Sequence, residues 1–189
     1  FPLMLDVANV PIVVAGGPRI LPRVAALVEH GALGLHVFAQ SPSPELAAYA
    51  GARLEGRWPE QADFARIRPK LAFVADVDDD LAARVSGWAR DAGALVHVED
   101  RIPLCDFHLP ARVRRGHLQV TVSTDGAAAG LSRHIREYLE NHVFGPEWGM
   151  RVEEVAAARR KWKQQGLSFA DLGKAVADLV TSRGWLKKP

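Results

Sequence analysis

The stretch Pro11-Ile12-Val13-Val14-Ala15-Gly16-Gly17-Pro18-Arg19-Ile20 decides the fold. Its first half is a short, β-branched apolar run of the kind buried on both faces of a sheet. Gly16-Gly17 ends the run, and Val24, Leu27 and Val28 then recur at helical spacing as far as His30-Gly31. Buried strand, glycine turn and helix together open a βαβ unit. Leu35-His36-Val37-Phe38 reads as the second strand. Ser43 and Pro44 cap and start a short helix over residues 45–50. Residues 52–55 read as a third strand, 61–67 as a short helix and 71–75 as a strongly buried strand. Asp78-Asp79-Asp80 sets acids at the positive end of a helix through Leu81, Val85 and Trp88, and residues 94–98 form the next strand. This alternation predicts an α/β protein, a parallel sheet with helices on both faces.

The pattern changes after Asp100. Residues 107–113 and 117–123 both read as extended around Arg114-Arg115-Gly116, a hairpin or crossover. Thr124-Asp125-Gly126 turns into a helix over 127–142, with Leu131, Ile135, Tyr138 and Leu139 on one face; Gly145-Pro146 breaks it. Two more helices follow, over 153–165 and 169–182, the last capped by Ser168. The expected division is 1–104 for the α/β part, 105–145 for an intermediate region and 146–189 for a helical end.

Charge excludes some partners. Lys and Arg number 24 against 22 Asp and Glu, a net +2, which gives nucleic-acid binding no support. Arg112, Arg114, Arg115, His117, Arg133, His134 and Arg136 nevertheless cluster, as do Arg159, Arg160, Lys161 and Lys163; each run is a solvated face or a docking surface for a polyanion. No apolar run approaches the roughly 18 residues of a membrane span, and no signal-peptide pattern is read. A lone cysteine, Cys105, forms no internal disulfide and suits the cytoplasm.

The frame Ala15-Gly16-Gly17-Pro18-Arg19-Ile20 is a dinucleotide-site candidate. A working fingerprint needs glycine at the turn, glycine at the pyrophosphate and a small residue where helix meets strand; only the middle requirement is met, at Gly17. Pro18 and Pro22 remove two N–H donors, and Phe38-Ala39-Gln40 stands where an acid would hold a ribose. These residues leave open both a bound dinucleotide and a tight βα turn. Asp76, Asp78, Asp79 and Asp80 fit helix capping better than a metal site.

The second concentration of chemistry is His97-Val98-Glu99-Asp100-Arg101-Ile102-Pro103-Leu104-Cys105-Asp106-Phe107-His108-Leu109-Pro110-Ala111. Three carboxylates, two imidazoles and the thiol follow a strand end, where open α/β sheets keep their ligands. Strand alternation puts His97 and Glu99 on one face and Asp100 on the other. His97, Glu99, Asp100, Cys105, Asp106 and His108 suit either a divalent metal or proton transfer. There is no paired-histidine zinc motif and no nucleophile elbow.

Val96-His97-Val98-Glu99-Asp100, then Leu104-Cys105-Asp106-Phe107-His108-Leu109-Pro110-Ala111, then Val120-Thr121-Val122-Ser123-Thr124-Asp125-Gly126 with Leu131-Ser132-Arg133-His134-Ile135-Arg136-Glu137 carry a family resemblance. Over about residues 1–145 the chain resembles the precorrin-2 dehydrogenase/sirohydrochlorin ferrochelatase family, the N-terminal module of siroheme synthases and its free-standing relatives. The resemblance implies a Rossmann-like NAD-binding domain over 1–104, a dimerisation and tetrapyrrole-site region over 105–145, and a homodimer. It implies NAD-dependent oxidation of precorrin-2 to sirohydrochlorin, with Fe2+ or Co2+ as the substrate metal if metal is also inserted. Asp100 matches the family's strand-end aspartate, the general base, and His97 beside it tunes it or receives protons. Gly16, Gly17, Pro18, Arg19, Phe38 and Asp76 fall at cofactor positions. Arg112, Arg114, Arg115, Ser123, Thr124 and Arg133 fall where a polycarboxylate would bind. No fixed metal is implied; His97, Asp100 and His108 are transient candidates. The departures lie mostly on the dinucleotide side: Ala15 in the triple glycine, Ile20 at the packing position, Ala75-Asp76-Val77-Asp78-Asp79 for the usual Ala-Thr-Asp-Asp with the threonine lost, and His97 for an asparagine. Two other readings use the same residues, a chelatase alone and a non-catalytic tetrapyrrole-binding protein.

Overall fold

The structure, a computed structural model, describes residues 3–186. These fall into two compact units, one ending at His108 and one beginning at Leu109.

In the first unit, β1 (Ile12–Gly16), β2 (Leu35–Phe38), β3 (Leu54–Glu55), β4 (Leu71–Ala75) and β5 (Leu95–Val98) form one sheet in the order β3-β2-β1-β4-β5. Every pairing is parallel, with Val14 opposite Val37 and Phe73, and Phe73 opposite His97. The parallel α/β sheet expected from the sequence is borne out. Alternate residues of β1 serve two cores. Ile12 and Val14 join Val24 and Leu27 of α1 (Leu21–Glu29) and Leu46 of α2 (Pro44–Ala50). Val13 and Ala15 join Phe64 of α3 (Gln61–Ile67) and Leu81 and Val85 of α4 (Asp79–Asp91). The three central residues of β1 are 1% exposed, which is why the run carries no polar side chain.

The caps follow the sequence. Ser43 Oγ accepts from Leu46 N–H at 3.1 Å, and Asp78 Oδ1 from Leu81 N–H at 2.7 Å. The strand expected over 52–55 shrinks to the two residues of β3, because residues 51–53 form a 3-10 turn.

No helix follows β5. A 3-10 turn, Ile102–Leu104, reverses the chain, and the next residues return along the free edge of β5. Asp106 N–H donates to Val96 O at 2.7 Å, its carboxylate accepts from Val96 N–H at 2.9 Å, and Cys105 Sγ bonds both backbone groups of Val98. The covered edge satisfies polar groups that would otherwise be a pairing hazard. These bonds carry the first unit through His108, four residues beyond the division expected at 104.

The second unit opens with an antiparallel hairpin, β6 (Ala111–Arg115) and β7 (Leu118–Val122), with Val113 opposite Val120. Gly116, at φ 57°, supplies the left-handed residue of the two-residue turn. The expected helix over 127–142 is α5 (Ala129–Tyr138) followed by a π turn, Leu139–Val143. Phe144 N–H reaches back five residues to Leu139 O at 2.7 Å, and Arg115 of β6 holds Phe144 O at 2.9 Å and Glu140 at 3.1 Å. Two helices follow, α6 (Trp148–Gln164) and α7 (Phe169–Ser182). The first starts five residues earlier than expected, with Trp148 Nε1–H on Val143 O at 2.9 Å. The second unit does not divide again near 145.

Candidate functional site

The sheet changes direction of growth between β1 and β4, and open sheets bind ligands outside the strand ends at that place. A cavity of about 160 Å³ lies there in the first unit, lined by Arg19, Arg23, Phe73, Ala75, His97 and Glu99 among others.

Arg19 and Ile20, which line it, follow directly on the glycine turn. A Cβ on Gly16 would stand 2.2 Å from Ala75 O and 2.3 Å from Ile20 Cγ2; one on Gly17 would stand 2.6 Å from Asp76 Oδ2. Both glycines are therefore required. Gly16 lets β1 and β4 finish side by side while Ile20, 1% exposed, fills the gap between strand and helix. A bulky residue stands at the family's small position because the glycine before it makes the space.

Asp76, immediately after β4 and at φ 56°, turns its carboxylate toward Gly17 and Arg19. It accepts from Arg19 N–H at 3.2 Å and Arg19 Nε–H at 2.9 Å. The Arg19 guanidinium holds this carboxyl below the usual carboxylate range. Gly17 N–H goes to Ala75 O and Ile20 N–H to Gly17 O. The Arg19 amide is thus an anion-binding donor at the turn, and Asp76 is the anion on it. A dinucleotide pyrophosphate fits the same donor set once the carboxylate swings away: one amide, one guanidinium, and glycines that leave room for the phosphates.

The other wall is the end of β5. Asp100 is exposed and sits at φ 59°, a left-handed conformation that aspartate tolerates better than most residues. Glu99 N–H on Val74 O at 2.9 Å fixes the strand end from one side. Arg101 fixes it from the other, bonding Val77 O at 2.8 Å and Asp79 at 2.7 Å. His97 is half-buried. Its Nδ1–H donates to Phe107 O at 3.1 Å, since a carbonyl only accepts, and its ring packs near Phe73 and Phe107. Burial pushes its pKa below the ordinary histidine value, so the ring is neutral near neutral pH.

The structure brings Gly16, Gly17, Pro18, Arg19 and Asp76 together at the turn. Phe38 belongs elsewhere. It is 0% exposed, inside the core under α3 and α4, with the Arg57 guanidinium 5.2 Å from its ring centre, and offers no surface to a cofactor. Asp106 is committed to Arg90 and to Val96 N–H. Arg23 is the residue that the sequence reading missed. It reaches the cavity one turn after Arg19 on α1, its guanidinium 5.3 Å from the Phe73 ring centre.

Within the second unit, Arg115 is occupied by Glu140 and Phe144 O, so it builds the unit and has no free guanidinium for substrate. Thr124 accepts from Ala128 N–H and bonds Ser132 at 3.1 Å, closing the start of α5. Ser123 accepts from Asp125 N–H. Arg133 pairs with Glu137 at 2.9 Å on an exposed face. Arg112 and Arg114 lie on the exposed face of β6, opposite the buried side of Val113.

A family model described as putative NAD(P)-binding matches residues 3–111, and one described as sirohaem biosynthesis protein central matches residues 115–142. The chain is similar to siroheme synthase 2 of Yersinia pestis, 31% identical over 169 residues that cover 86% of this chain and 34% of that one. It is similar to siroheme synthase 1 of Cronobacter sakazakii, 34% identical over 163 residues, 84% of this chain and 34% of that one. The chain thus spans about a third of the length of the curated relatives it matches. Among solved structures it is similar to "SirC, precorrin-2 dehydrogenase", with a TM-score of 0.79 and 22% identity over 95% of this chain and 89% of that one. This last likeness is one of fold.

Proposed function

The chain belongs to the putative NAD(P)-binding family, and on that premise we propose that it oxidises precorrin-2 to sirohydrochlorin in siroheme biosynthesis, with NAD as cofactor. The observation that carries the reading is Asp100: an exposed carboxylate held in a left-handed turn at the end of β5, in the unit whose β1 turn carries the anion-binding amide.

The oxidation removes two hydrogens from the macrocycle, one as a proton and one as a hydride. A bound NAD would accept the hydride. Asp100 takes the ring proton as general base. His97, neutral and oriented by Phe107 O, receives protons in turn or tunes Asp100. Gly16 and Gly17 admit the pyrophosphate, Pro18 fixes the turn, and Arg19 and Arg23 supply positive charge once Asp76 releases Arg19. Within the second unit, Arg112, Arg114 and Arg133 offer guanidinium groups of the kind that bind carboxylates, and Ser123 and Thr124 shape the turn into α5.

Two finer features belong to the same proposal. Metal insertion, with Fe2+ or Co2+ as substrate, is favoured by the imidazoles His97 and His108 near the strand end. A homodimer is favoured by the exposed stripe Leu131, Ile135 and Tyr138 on α5. The cytoplasm suits the single free thiol. Among the described residues no helix is long and apolar enough to cross a membrane.

The test is anaerobic incubation with precorrin-2 and NAD, following NADH and sirohydrochlorin together. Equimolar formation of both is expected. Folded protein that makes neither would overturn the dehydrogenase reading and leave the chelatase or the tetrapyrrole-binding protein.

A further inference from the structure

Beside β5 three metal-binding donors meet, and only His97 takes part in the oxidation proposed above. His97, Cys105 and His108 each offer one ligand atom, and these atoms lie within 4.8 Å of one another. All three belong to the first unit. The fold accounts for the meeting. His97 projects from β5 itself, and the chain that covers the edge of β5 delivers Cys105 and then His108.

Two of the donors are already oriented. Cys105 Sγ accepts from Val98 N–H at 3.3 Å, the kind of bond that a metal-bound thiolate keeps. Its own proton is shared with Val98 O at 3.1 Å and leaves to solvent when a metal binds. His97 donates Nδ1–H to a backbone carbonyl, which places the lone pair of the neutral ring on Nε2. A histidine with one nitrogen on a carbonyl is the usual supporting arrangement of a metal ligand. His108 is exposed and closes from outside. Metal–ligand bonds of about 2.0–2.3 Å in a tetrahedron set neighbouring ligands roughly 3.3–3.8 Å apart. Contraction from the present spacing needs about 1 Å, within reach of a surface imidazole.

We infer that His97, Cys105 and His108 bind one divalent transition-metal ion, with the fourth position open. One thiolate and two imidazoles select zinc, cobalt or iron over magnesium and calcium, which prefer oxygen ligands. Metal and proton compete for the same Nε2 of His97, so the site is read with metal alone and the oxidation is assayed without added metal.

The test is titration of the full chain with Co2+ alone. One equivalent should give a thiolate-to-cobalt charge-transfer absorption and the intense visible bands of four-coordinate cobalt. Cys105→Ser should lose the charge-transfer band. His108→Ala, a surface change, should keep the fold and weaken binding at least about tenfold. No charge-transfer band in the wild type, or unchanged affinity in His108→Ala, would overturn the site. Circular dichroism of each variant checks folding, and if Cys105→Ser does not fold, His108→Ala decides. Either failure leaves the NADH assay as it was, so the two claims fail separately.

Discussion

Replacing Gly16 by alanine tests the turn at its tightest point. The new Cβ would lie 2.2 Å from Ala75 O and 2.3 Å from Ile20 Cγ2, where ordinary contact begins at 3.4 Å. The carbonyl belongs to the strand paired with β1, so relief requires the turn to move about 1 Å away from β4. That movement breaks the Gly17 N–H bond to Ala75 O and unseats a fully buried isoleucine. Overpacking of this kind costs about 1–3 kcal/mol, and the lost hydrogen bond about 1 kcal/mol more. A loss near 3 kcal/mol lowers the melting temperature by roughly 6–12 °C in a chain of this size. Gly87 in α4 is the internal control. Nothing lies within 4 Å of its added Cβ, and alanine there should gain about 0.5–1 kcal/mol. Urea and thermal unfolding of the two variants measure both effects. Gly16→Ala as stable as the wild type would show that the glycine is not required by packing. Adding Ile20→Ala should not rescue it, because the carbonyl remains.

Other outcomes follow from the same geometry. Asp76→Ala should free the Arg19 amide and guanidinium, so NAD should bind more tightly by calorimetry; weaker binding would mean that Asp76 contacts the cofactor directly. His97 titrates below its ordinary value because of burial, so between the folded and unfolded values the unfolded chain binds more protons. Stability should therefore fall as pH drops through that window, just below the ordinary histidine range, and urea midpoints of His97→Gln should fall less there. Asp63, 5% exposed, holds Arg57 and the Glu60 amide at the start of α3, and Asp63→Ala should cost about 1–2 kcal/mol in urea unfolding.

Much of the first unit was legible because buried parallel strands have a simple signature. Val13 and Val14 face different cores, so neither position tolerates a polar residue, and the run can be read without its neighbours. The family was legible too, since the motifs around Asp100 and Ser123 survive while the turn departs, and the matched models confirm it. The departures were harder to read one at a time. Ile20 looks wrong against a fingerprint, and only the structure shows that Gly16 vacates the space it fills. Phe38 ends its strand in the right place, but strand position does not reveal that Arg57 and the core enclose its ring. Asp106 and Cys105 read as chemistry because they titrate, whereas much of their work is to bond the open edge of β5. Arg115 read as part of a basic patch. Its partners, Glu140 and Phe144 O, are 25 or more residues away, beyond what local pattern conveys, and they also account for the π turn.

The central claim is that a carboxylate at the end of β5 removes the proton while NAD takes the hydride. Its most direct test is single-turnover oxidation of precorrin-2 by Asp100→Asn at saturating NAD. Asparagine keeps the left-handed turn and the shape of the side chain but cannot accept the proton. The predicted result is a rate lowered by about 10²–10⁴-fold with NAD affinity unchanged. Oxidation at the wild-type rate would contradict it.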